Sequence, residues 1–255
     1  MDLPDDQAAL IRAVAAVNKR TVVVLNNGTP VTMTDWLPAV PAVIEGWLPG
    51  QEGGTALAAI LFGDVNPSGK LPDTLAANRN DYPDAGNFPG ANHQVDYAEG
   101  IYVGYRHFDQ AGIQPLFPFG YGLSYTTFDY NHLQLSQPEL SPDGTLTARV
   151  DITNTGKRAG EEVVELYLHT LHPKVDRPVR ELKGFAKVAL MPDETRTVSL
   201  TVQPRDLAYF DVSGHLWKAD AGDYEVEIGA SSRDIRQTAV FRLNADFTDR
   251  VSPAN

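Results

Sequence analysis

The residues best placed to do chemistry lie in Trp47-Leu-Pro-Gly-Gln-Glu-Gly-Gly-Thr55. The apolar run that starts at Ala42 precedes them, and Thr55–Phe62 continues as a second apolar run. A strand ending in a tight glycine-rich turn would set Gln51 and Glu52 beside a helix N-terminus. In open α/β sheets, ligands bind at that edge, beyond the carboxyl ends of the parallel strands. A structural reading of the same residues also stands. In it the glycines serve only the turn, and Glu52 is a first-turn acid that favours the helix dipole.

Other catalytic signatures are missing. The nearest approach to a nucleophile elbow, Gly122-Leu-Ser124-Tyr-Thr126, lacks its second glycine. Neither HExxH nor a phosphate loop occurs, and the single glycine of Val24-Leu-Asn-Asn-Gly28 makes no dinucleotide fingerprint. His169 and His172 are three apart, but a strand breaks between them and Pro173 follows, so they read as a surface pair. No metal and no cofactor is expected. With 33 acidic residues, a catalytic carboxylate pair cannot be chosen without geometry.

Composition narrows the classes further. Of 255 residues 42% are hydrophobic and 21% charged, which is the usage of a globular chain. The net charge of −12 argues against nucleic acid or anionic lipid as a partner. The absence of cysteine removes disulfides, thiolate nucleophiles and cysteine metal sites together. The longest apolar run, Ala56–Phe62, falls far short of the about 20 residues that span a bilayer, so no membrane is expected. MDLPDDQAAL has neither the basic nor the apolar region of a signal peptide, and localisation stays open.

The elements that must position these residues fall into two regimes. Residues 5–17 predict an amphipathic helix, with Leu10, Ile11, Val14 and Val17 at helical spacing and Asp5 and Asp6 in its first turn. Thr21–Gly28 and Ala42–Gly50 predict two strands buried on both faces, and Thr55–Gly63 a helix closed by Gly63. That rhythm is a parallel α/β layer. From Asn66 to about Tyr121 the periodicity fades into a Pro-, Gly- and aromatic-rich arm. Beyond Leu123 the period becomes two, as in Leu146-Ala148-Val150-Ile152 and Val164-Leu166-Leu168, which predicts half-buried strands of a β-sandwich. The fold class is thus α/β followed by all-β, with domains 1–122 and 123–255.

The run GQEGGTALAAILFGDVNPSGKLPDTL resembles the second domain of glycoside hydrolase family 3, the β-glucosidase and β-xylosidase family. DLPDDQAALIRAVAAVNKRTVVVLNNGTPV resembles the helix and strand before it, and PLFPFGYGLSYTTFDY the arm leading out. NTGKRAGEEVVELYLH, RPVRELKGFAKVALMPDETRTVSLTV and GDYEVEIGASSRDI are similar to the family's fibronectin type III-like domain. The resemblance therefore implies a partial α/β sandwich, of later strands and helices only, followed by a fibronectin type III-like antiparallel β-sandwich.

What the family does is retaining hydrolysis of O-glycosyl bonds, with one carboxylate as nucleophile and another as acid/base. The resemblance places the nucleophile on a (β/α)8 barrel with no counterpart here. It places the acid/base Glu in a Glu-Gly-x-Asp-Arg stretch just before the motif seen as Asp2-Leu3-Pro4. Neither role can be carried onto a position of this chain, so the catalytic assignment is none, Glu52 and Glu99 being the acids in the most motif-like loops. The implied reading is the C-terminal part of a β-glycosidase, inactive alone, that meets a β-linked glucoside or xyloside only together with the barrel. In the whole enzyme Trp47, Gln51 and Glu52 would line the sugar pocket, with Trp47 able to stack on a sugar face. Core or interface roles for Trp36, Trp47 and Trp217 stand beside that. The other reading is a stand-alone module that packs on a separately encoded barrel or binds carbohydrate. An incomplete sheet would also leave an edge through which copies could self-associate.

Overall fold

The computed structural model describes residues 1–250 and forms two compact units, one of Met1–Val65 and Pro72–Phe119, the other of Asn66–Leu71 and the chain from Gly120 onward. Residues 251–255, the end of the expected second domain, and the Asp5 side chain lie outside the described residues. Among the described residues no helix is long and apolar enough to cross a membrane.

The first unit opens with helix α1, Asp5–Val17, at the predicted position. Its apolar stripe is not the buried face. Leu10 is 63% and Val17 87% exposed, and the face that packs inward carries Ala8 and Ala15. Spacing shows that a stripe exists but not what covers it. Strand β1, Val22–Leu25, pairs in parallel with β2, Ala42–Glu45, Val22 lying opposite Ala42 and Leu25 opposite Glu45. Burial on both faces does not follow, because this sheet has two strands and both Val22 and Ala42 are exposed. Strand β2 is also shorter than expected. The Gly46 N–H still reaches the Leu25 carbonyl at 2.8 Å, and the backbone then turns left-handed at Trp47.

Helix α2, Gly53–Phe62, ends as predicted on Gly63, whose φ of +82° suits a residue without Cβ. The aromatic arm is ordered by its own side chains, which periodicity could not foresee. It contains the short helix α3, Tyr105–Gln110, whose Phe108 is fully buried and meets Tyr82 edge-on at 5.8 Å. The Tyr82 hydroxyl accepts from the Ala76 N–H and donates to the Thr74 carbonyl, fastening the arm to its own start.

The second unit is the sandwich. A three-stranded sheet sets β3 (Phe128–Leu135), β5 (Leu146–Asn154) and β8 (Thr195–Val202) side by side. The facing sheet has the order β4 (Glu139–Leu140), β12 (Asp234–Leu243), β11 (Gly222–Ser231), β6 (Gly160–Thr170), β7 (Glu181–Leu190). A small sheet joins β9 (Tyr209–Asp211), β10 (Leu216–Ala219) and β13 (Phe247–Arg250). Alternating residues such as Leu146, Val150, Val164, Leu166, Val226 and Ile228 close the core, each at most 1% exposed. Burying a side chain of that size is worth about 1.5–3 kcal/mol, so the period-two pattern supplies the largest share of what holds this unit together.

Two features of the sandwich depart from a sheet with one wet face. Glu162, Glu165, Tyr167 and Glu227 are also buried, so β6 and β11 are covered on both sides. The hexapeptide Asn66–Leu71 belongs to this unit as well. Asn66 donates to the Ala159 carbonyl and accepts from Ser124 and the Tyr125 N–H, and Lys70 pairs with Glu162 at 2.9 Å. The Leu71 N–H donates to Tyr121, and the Gly120 N–H returns to Leu71. No period in the sequence announces this excursion.

Candidate functional site

Parallel pairing brings the carboxyl ends of β1 and β2 together, the edge at which open α/β sheets place their ligands. Glu45 is the last residue of β2, and its carboxylate accepts the Trp47 N–H at 3.0 Å. Asn27, just past β1, donates its amide to the Thr29 carbonyl at 2.7 Å and, over 3.5 Å, to Glu45. The Asn27 carbonyl oxygen is buried without a hydrogen-bond partner among the described residues. Burial pushes the Glu45 carboxyl above its ordinary value, and the Trp47 N–H and the Asn27 amide oppose that rise.

Trp47 carries the strain of this corner. Its φ is +48°, a left-handed conformation that costs a bulky residue of order 1–3 kcal/mol and that collects at ligand clamps. The carboxylate of Glu45 holds the strained N–H, while the indole stays partly exposed. Gly46 is tight for a side chain, since a Cβ there would lie 2.9 Å from the Asn26 side-chain oxygen and 3.1 Å from the Leu25 carbonyl oxygen. A short polar clamp thus holds the backbone of an aromatic residue at the end of a parallel pair.

Gln51 and Glu52 stand apart from that clamp. Both are exposed, and no hydrogen bond joins either to Trp47 or Glu45. Glu52 is the residue before α2, and its carboxylate accepts from the Thr55 hydroxyl at 3.2 Å. Glu99 lies in the arm with its carbonyl engaged by the Tyr102 N–H. Sequence reasoning missed Glu45 and Asn27. The available signal was a charged residue ending an otherwise apolar strand, Ala42-Val-Ile-Glu45, followed at once by glycine.

The other aromatics and histidines sort by environment. Trp36 is fully buried, and Trp217 lies under the Arg205 guanidinium at 3.8 Å and edge-on to Phe210. His172 is exposed beyond β6, whereas His169, within β6, faces Glu225 and Glu227 of β11 rather than His172.

Residues 1–125 match the glycosyl hydrolase family 3 C-terminal domain, and residues 162–232 match a fibronectin type III-like domain. A beta-glucosidase of Rhizobium radiobacter is 50% identical over 250 residues, 96% of this chain and 30% of that protein. Thermostable beta-glucosidase B of Acetivibrio thermocellus is 45% identical over 245 residues, again 96% of this chain and 32% of its own length. The structure of beta-glucosidase 3B from Thermotoga neapolitana in complex with alpha-D-glucose superposes with a TM-score of 0.91 at 40% identity, over 98% of this chain and 35% of that one. The chain thus spans about a third of the length of the relatives it matches. Family models, sequence identity and superposition agree: the chain belongs to the family 3 glycosyl hydrolases, and it carries their C-terminal domain followed by a fibronectin type III-like domain.

Proposed function

We propose that this chain serves as the C-terminal part of a retaining β-glucosidase and works only with a catalytic (β/α)8 barrel, on the same polypeptide or another. The observation that carries this reading is 50% identity to a beta-glucosidase over nearly the whole chain, which accounts for only 30% of that protein. Neither the nucleophile nor the acid/base that retaining chemistry requires has an assignable position here. The clamp of Asn27, Glu45 and Trp47 supports a pocket-wall role, because backbone strain at a partly exposed aromatic clusters at ligand clamps. Trp47 would stack on the sugar ring, and Gln51 and Glu52 would reach its hydroxyls from the same loop. The exposed Leu10, Val17 and Phe62 would lie against the parts that complete the enzyme, or let copies of the chain self-associate.

The test mixes this chain with the N-terminal two thirds of the Rhizobium radiobacter beta-glucosidase and follows an aryl β-D-glucoside. Hydrolysis is expected from the mixture and from neither part alone, with Trp47→Ala raising KM. Turnover by the chain alone, abolished by Glu52→Gln, would overturn the proposal.

A further inference from the structure

The covered outer face of the larger sheet holds a second cluster with chemistry of its own. His169 on β6 and Glu225 on β11 are directly opposed across the antiparallel pair, and Glu227 lies two residues further along the same face. The His169 Nδ1 is 3.8 Å from an oxygen of Glu225 and 3.8 Å from Oε1 of Glu227. One ligand atom from each of the three lies within 4.8 Å of the others. These side chains are not a loose surface group, being 32%, 21% and 7% exposed respectively.

We propose that His169, Glu225 and Glu227 form a Zn2+ site with a fourth position open to water or an exogenous ligand. At Zn–N and Zn–O distances of about 2.0–2.2 Å, tetrahedral ligands stand about 3.4 Å apart, so a few tenths of an ångström of motion closes each His169–Glu distance and a carboxylate rotamer adjustment of about 1 Å brings the two glutamates to the same ion. One imidazole with two carboxylates is a donor set that suits Zn2+ and its first-row neighbours and lacks the oxygen count of a calcium site.

Register on adjacent strands fixes the three Cα positions before any ion arrives, which reduces the ordering cost of binding. The Arg180 guanidinium supplies the orienting contact. Its Nε lies 3.1 Å from Oε2 of Glu227, leaving Oε1 to face His169, and its Nη1 donates to the Ser232 carbonyl at 2.7 Å. The same cation also lowers the negative charge of the site. The competing occupant is a proton, which on His169 would satisfy both carboxylates by ion pairing alone.

Calorimetric titration of the EDTA-treated full chain with ZnCl2 decides between the two. One Zn2+ per chain is expected, with binding weakened at least tenfold in His169→Ala and in Glu225→Gln. His172→Ala should bind as the unsubstituted chain does. Co2+ in place of Zn2+ should give the visible absorption of a four-coordinate nitrogen–oxygen site. A readout that needs no variant is the His169 ring resonances, which should move on Zn2+ addition. Absence of binding, binding that survives His169→Ala, or binding lost in His172→Ala would each overturn the site.

Discussion

Glu165→Gln isolates the most consequential buried charge in the sandwich. Glu165 is 4% exposed, and its carboxylate accepts the Tyr167 hydroxyl at 2.5 Å. Burial pushes its pKa from the ordinary 4.5 up to about 7, against the pull of the Tyr167 hydroxyl and the Lys70 ammonium and with the neighbouring Glu162 charge adding to the rise. The folded state therefore keeps a proton that the unfolded chain releases near 4.5. Stability from this group is complete below that pH and is lost as pH rises through about 7. The gap at 1.36 kcal/mol per pH unit amounts to about 3 kcal/mol.

Glutamine keeps an acceptor for Tyr167 but cannot ionise. Its amide also needs a partner, which costs about 1–3 kcal/mol at low pH if none is found. Urea unfolding at pH 5, 6, 7 and 8, followed by far-ultraviolet circular dichroism, reports mainly on this unit, because eleven of the thirteen strands among the described residues lie in it. The unsubstituted chain should lose about 2.5 kcal/mol more than Glu165→Gln across that range, the rest of the gap lying below pH 5. Parallel curves for the two proteins would refute the assignment of the proton to Glu165.

Asn154→Ala should cost about 3–4 kcal/mol in the same assay, since Asn154 is fully buried and bonds the Thr126 hydroxyl, the Gly156 N–H and the carbonyls of Arg158 and Leu190. Gly120→Ala should lose about 2–4 kcal/mol, because φ is +83° there and a Cβ would sit 2.6 Å from both Glu165 oxygens and 2.8 Å from the Ser231 Cα. Gly54→Ala, in α2 with open space around its Cα, should instead gain about 0.5–1 kcal/mol in the melting of the first unit. Leu10→Lys should change the stability of this chain by less than about 0.5 kcal/mol, in contrast to the cost expected were the α1 stripe its packed face.

Local signals were legible wherever they depend on neighbours in sequence. The helix at 5–17, the glycine that stops α2, the parallel pairing of the two early strands and the alternation in β5, β6, β8 and β11 all follow from spacing and side-chain type. The site was only half legible. Trp47 stands out as an aromatic beside a glycine turn, but Glu45 and Asn27 gain meaning only when β1 and β2 lie side by side and bring them together across 18 positions.

The sequence by itself determined the order of architectures, the family resemblance and the inward residues of the sandwich, because a period of two dictates which side chains share a face. Tertiary structure alone decided which faces are covered. Leu10 and Val17 have helical spacing yet lie in the open, while Glu165 and Glu227 occupy outward positions yet are buried. It also decided that Asn66–Leu71 joins the sandwich and that His169 faces two glutamates instead of His172. Burial and charge pairing depend on residues brought near by the fold, and a local pattern carries no information about them.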